Sequence, residues 1–325
     1  MNFINPIEIL QLQDATYIGN IDSGIIKRKK RKLFAEIELS NDGLYNYNGT
    51  KIQKSDCERV INELDNEELK EFYYYLSTNL TLNNFLTYGD ESLFASFRQE
   101  SIYKVPEFID FINPFFADRF DKILLRAFKV NDNNLLASVL RTQILVNQAN
   151  INIAFKSVTN EIRNRIEEID QITKEIKEEE RDCNEQTVAE IVNTVKEKFP
   201  VEIINSLPAY FQSQINKIAS SINYLDLAID KEIGVSISSM QLLEHLLSLN
   251  IESIGKQTFE NNYEITKKRY NEKIEKERNA PILKKWASSL IEIKAVTEKI
   301  EEKASQPKDG ENKIKTIDIT ELKII

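Results

Sequence analysis

Eight glycines and seven prolines in 325 residues leave this chain few places to turn sharply. Barrels, sandwiches and doubly wound sheets need turn residues at the end of every strand, whereas helices need few. Hydrophobic residues make up 41% of the chain and charged residues 29%, so a packed core and a solvated surface can coexist. The expected fold is all-α: a small helical domain, then a helical body with hairpin or repeat-like packing and one long charged helix pair.

Helix signals divide the chain. Residues 1–87 carry three starts. Asn5-Pro6 offers a cap and a proline at the first helical position, where its missing N–H costs nothing. Asp22 or Ser23 leads into Ile25–Leu39, with Ile26, Leu33 and Ile37 at helical spacing. Ser55 with Glu58 has the form of a capping box, followed by the stripe Val60, Ile61, Leu64, Phe72 and Leu76. The stretches Ser40–Gly43 and Asn46–Gly49 read as polar loops. Residues 88–150 turn aromatic, from Phe94 to Phe128, and read as several core helices interrupted at Pro106 and Pro114. Residues 151–304 read as long charged helices. Ile162, Ile169 and Ile176 recur every seven residues, a two-helix or coiled-coil seam. A helical hairpin follows: Ile215–Ile233, a turn at Gly234, Ser238–Leu249, then Ile254–Lys276. Residues 305–325 read as linker and tail, where the alternation of Ile314–Ile319 suits a short strand or a docking peptide.

The net charge of −9 argues against a general nucleic-acid binder. No apolar run approaches the ~20 residues that a membrane span requires. The opening residues lack the basic and apolar regions of a secretory signal. The expected location is therefore cytoplasmic, with Cys57 and Cys183 as free thiols.

Catalytic chemistry finds little purchase. The one histidine, His245, lies in a leucine-rich helix far from either cysteine, and reads as a packed or surface residue. One histidine and two scattered cysteines leave no zinc set and no nucleophile–histidine pair. The acidic runs Glu167-Glu168, Glu178–Glu180 and Glu301-Glu302 read as solvated helix faces. No phosphate-cradling glycine loop is present. The expectation is no enzyme and no cofactor.

Six consecutive cations, Lys27 to Lys32, are the exception to this bland surface. On a helix they wrap around the axis, with Lys27, Lys30 and Arg31 toward one side. Three readings stay open: an acidic protein partner, RNA or an acidic lipid surface, or a solvated outer face.

Taken together, Asn5-Pro6-Ile7-Glu8-Ile9-Leu10, the basic stretch Ile26–Leu33, and Asp56 to Tyr73 resemble a J-domain in a bacterial protein. The resemblance covers about the first quarter of the chain. It implies that the basic helix is the surface that docks on an Hsp70-type chaperone. That family carries His-Pro-Asp after this helix to stimulate ATP hydrolysis; here the stretch is Glu38-Leu39-Ser40, with Asp42 close by. The resemblance thus implies docking through Lys27, Arg28, Lys30 and Arg31 without stimulation. Asn223–Ile229 with Met240–Leu249 is similar to a helical repeat pair found behind such domains, and equally reads as an ordinary hairpin. The functional expectation is a co-chaperone-like adaptor that binds a protein partner. The alternative is a structural subunit of a larger assembly, built on coiled-coil-like helices.

Overall fold

The computed structural model describes residues 3–13, 18–47 and 49–305. Among the described residues the fold is all-α apart from one small hairpin. Its N-terminal elements are α1 (Pro6–Ile9), α2 (Ser23–Leu39), the strands β1 (Leu44–Tyr47) and β2 (Thr50–Gln53), α3 (Lys54–Asn62), α4 (Glu67–Thr78), α5 (Leu80–Tyr88) and α6 (Ser92–Ser96). Then come α7 (Pro106–Lys129), α8 (Asn133–Leu140), α9 (Ile151–Ala154), α10 (Lys156–Lys177), α11 (Glu185–Lys198), α12 (Val201–Asn205), α13 (Gln212–Ile233), α14 (Ile237–Leu247) and α15 (Ser253–Ser305).

The starts follow from local chemistry. The Asn5 side chain accepts the Ile7 N–H at 3.0 Å, with Pro6 at the first position of α1. Asp22 caps α2 by accepting the Ile25 N–H at 2.8 Å. Ser55 does not start its helix: α3 begins one residue earlier, at Lys54, without a side-chain cap. The reason lies just upstream, where β2 runs directly into the helix. The expected loop at Asn46–Gly49 instead takes in the end of β1 and the turn of a hairpin, in which Tyr45 pairs with Ile52 and Tyr47 with Thr50, while Ser40–Gly43 leads into its first strand. Gly49 takes a φ of +84° at its turn, a conformation that favours glycine.

Pro106 opens α7, but Pro114 lies inside it rather than interrupting it. A proline here removes one backbone hydrogen bond and crowds the preceding turn. Its neighbour Asn113 ties the helix to the segment after α8, donating from its buried side chain to the carbonyls of Ile109 at 2.8 Å and Leu145 at 2.7 Å.

Residues Met1–Glu264 form one compact unit. Aromatic contacts run through its core: Phe3 on Phe115 at 5.2 Å, Phe116 on Phe120 at 5.7 Å, Phe120 on Phe155 at 5.8 Å, and Phe155 on Phe211 at 5.2 Å. Such pairs add about 0.5–1.5 kcal/mol each beyond area burial. The seven-residue isoleucine repeat of α10 is spent inside this unit: Ile162, Ile169 and Ile176 are fully buried, and α10 packs along α13. The helical hairpin stands as expected, with Gly234 at φ +70° between α13 and α14. Ile265–Ile325 is a second unit, whose described part continues α15 to Ser305. The expected strand at Ile314–Ile319 lies outside the described residues. Among the described residues no helix is long and apolar enough to cross a membrane.

Candidate interaction surface

The six cations of α2 are sorted by its buried stripe. Ile26, Leu33 and Ile37 face the core, and α2 packs on α3 and β1. At about 100° per residue, Lys27, Arg28, Arg31 and Lys32 fall on an arc opposite that stripe. All four are exposed. Among the described residues Lys27, Arg28 and Arg31 have no ion pair, and Lys32 has a loose one with Glu36 at 3.7 Å. The other two cations turn aside. Lys29 Nζ donates to the Gln11 carbonyl at 3.3 Å. Lys30 Nζ lies 3.0 Å from Glu58 and donates to Asn62 at 2.9 Å, with the Phe34 ring 5.3 Å beneath it.

Of the four expected docking residues, the structure thus groups Lys27, Arg28 and Arg31 and places Lys30 on the seam with α3. Lys32 takes the fourth place on the open arc. The sequence carried a signal for this, because residue 32 lies one helical turn beyond Arg28, whereas Lys30 lies near the buried Ile37 in projection. Four unneutralised or weakly paired cations on one arc make a surface suited to carboxylates.

The stretch after α2 is committed to structure. Ser40 Oγ donates to the Ile37 carbonyl at 2.8 Å, Asp42 accepts the Leu44 N–H at 3.2 Å, and Lys51 pairs with Asp42. Lys51 and the Leu44 N–H hold the Asp42 carboxyl below its ordinary pKa. These groups close the hairpin end.

Another polar cluster lies at a surface cleft. A cleft of about 380 Å³ is lined in part by Tyr75, Asn79, Glu100 and Tyr103. Asn79 donates to both phenol oxygens, at 2.8 and 3.1 Å, and to Glu100 at 3.1 Å. Burial raises the pKa of both phenols, so they stay protonated. His245 is only 8% exposed on α14. Burial lowers its pKa, opposed by a hydrogen bond to the backbone of Phe199, and its Nε2 is sealed from solvent. Both cysteines are free, Cys57 buried and Cys183 half-buried.

A second surface went unread in the sequence, where the last helix was expected to stop at Lys276. The helix continues to Ser305, and Leu283, Trp286, Leu290, Ile293 and Ile300 stand between 53% and 69% exposed along it. Their recurrence at heptad positions, with Thr297 filling the gap between Ile293 and Ile300, was the available signal. No family model, curated protein or solved structure matches this chain.

Proposed function

We propose that this chain is a non-enzymatic, cytoplasmic interaction protein, an adaptor that docks an acidic protein surface through the cationic face of α2. One observation carries the reading: Lys27, Arg28, Arg31 and Lys32 share an exposed arc while Lys29 and Lys30 are used within the fold. Charged faces of this kind steer association and set specificity more than they add affinity. The overall charge of −9 disfavours a polyanion such as RNA, which meets the field of the whole molecule as well as the patch. Free thiols suit a reducing compartment.

The J-domain resemblance makes an Hsp70-type chaperone the first partner to test. With Glu38-Leu39-Ser40 where that family has its tripeptide, binding without stimulated ATP hydrolysis is expected. The test compares the wild-type chain with K27E/R28E/R31E/K32E for binding to a bacterial Hsp70 and for its ATPase rate. Salt-sensitive binding lost in the variant, at an unchanged ATPase rate, supports the reading. Stimulated hydrolysis contradicts it. The second reading, a structural subunit, is favoured by the exposed apolar residues of α15.

A further inference from the structure

Residues 282–302 of α15 have a composition that a solitary helix does not need. Leu283, Trp286, Leu290, Ile293, Thr297 and Ile300 fall at spacings of three, four, three, four and three, the a and d positions of a heptad. All six are exposed. Ile282, Ala287, Ser289 and Val296 flank them and widen the stripe without charge; Lys294 and Glu301 are the flanking charges within these residues. The stripe runs for about 26 Å at 1.5 Å per residue. Contiguous exposed apolar surface of this kind marks an interaction site. Pro281 lies in the helix just before the stripe.

We infer that this stripe pairs with the same stripe of a second copy of the chain, antiparallel, as a short two-helix coiled coil. This goes beyond the adaptor reading and does not depend on the cationic face of α2. The heptad spacing calls for a helix as the occupant, since a seam at 3.5 residues per turn matches another helix. A lipid surface is disfavoured by charge: residues 282–302 carry four lysines and four glutamates, so there is no net attraction to an anionic bilayer.

The register follows from side-chain size. Centred between Ile291 and Glu292, antiparallel pairing sets Leu283 against Ile300, Trp286 against Thr297, and Leu290 against Ile293. The one bulky ring thus meets the one small side chain. Each contact recurs by the twofold axis, as an isologous interface requires. A parallel pairing would force Trp286 on Trp286 and leave Thr297 on Thr297, one layer overfilled and the other hollow. Thr297 is also prepared for burial, because its hydroxyl already donates to the Ile293 carbonyl at 2.9 Å. The flanking positions oppose no like charges: Ala287 meets Lys294, and Ser289 meets Val296.

Trp286 is the only tryptophan in the chain, which makes its emission a direct reporter. The experiment measures mass by light scattering and Trp286 emission over a concentration series of the full chain. A rise to twice the 37.7 kDa chain mass with a concentration-dependent blue shift is expected. L290E/I293E, at exposed central positions, should abolish both while helicity by circular dichroism stays unchanged. Orientation is read with a spin label at Glu302→Cys in a Cys183→Ser background. Antiparallel pairing places the two labels about 30 Å apart, the length of some 20 helical residues. A monomer at all concentrations, an association that survives L290E/I293E, or labels in near contact would overturn the inference. So would a blue shift that needs anionic vesicles and occurs in the monomer.

Discussion

Lys30 Nζ sits 3.0 Å from Glu58 Oε1 and 2.9 Å from Asn62 Oδ1, so this cation belongs to the packing of α2 on α3. Its neighbours Lys27, Arg28 and Arg31 stand in solvent. Lys30→Ala should therefore destabilise the fold by about 1 kcal/mol, the scale of a partly exposed ion pair with an added ring contact. Lys27→Ala, Arg28→Ala and Arg31→Ala should each stay within about 0.5 kcal/mol of wild type. Urea titrations of the four variants check this, and equal losses at all four would contradict the sorting of the helix.

Asn5 holds the N-terminal segment to elements far along the chain. Besides capping α1, its side-chain amide donates to Asn83 Oδ1 at 3.0 Å and to the Tyr73 carbonyl at 3.2 Å. Asn83 in turn donates to Glu8 at 2.8 Å, and Tyr47 donates to Glu8. Asn5→Ala removes a cap and leaves buried acceptors unmet, a combined cost of roughly 2–3 kcal/mol. Asn5→Ser should recover only the capping part. Chemical denaturation with both variants reads the difference.

His245 gives the fold a defined response to acid. Burial lowers its folded pKa below the ordinary 6.5, so the folded state binds fewer protons than the unfolded one as the pH falls. The contribution is complete above about pH 6.5 and is lost progressively below it, down through the folded pKa. His245→Leu should flatten the pH dependence of stability just below pH 6.5. Thermal melts of both proteins at pH 7.5 and pH 5.5 measure this, and an equal drop in the two would contradict it.

The two thiols should differ in reactivity. Burial, with Asp56 adding to it, pushes the Cys57 thiol up to about 11, and the side chain is fully enclosed. Cys183 is half-buried and its pKa is raised by burial and Glu232. Since the thiolate is the reactive form, a disulfide reagent at pH 8 should modify Cys183 first and Cys57 only on unfolding. Peptide mapping after timed labelling identifies the order.

Local signals in the sequence were dependable where the chemistry is local. Asn5-Pro6 and Asp22 cap the helices they announce, and Gly234 makes its turn with positive φ. Periodicity also placed Ile26, Leu33 and Ile37 in the core. What periodicity cannot assign is the partner of a stripe. The isoleucines of α10 and the leucines of α15 share heptad spacing, yet the first are buried against α13 and the second are exposed. Helical projection placed Lys30 beside the buried stripe, but its partners Glu58 and Asn62 lie on another helix and were not legible. The hairpin of β1 and β2 is four residues per strand, too short for its alternation to stand out beside polar neighbours. Pro114 misled because a proline reads as a helix break locally, while α7 continues through it with its buried residues, among them Asn113, Phe116 and Phe120, packed on both sides.

The adaptor account is tested most directly by quantitative affinity capture from cells of the source organism, comparing the wild-type chain with K27E/R28E/R31E/K32E. Lys30 is left intact so that the fold is held. The account predicts that acidic partners retained by the wild type at low salt are lost from the variant, while both chains show the same circular dichroism and melting. Recovery of the same partners in the same amounts by both chains would contradict it.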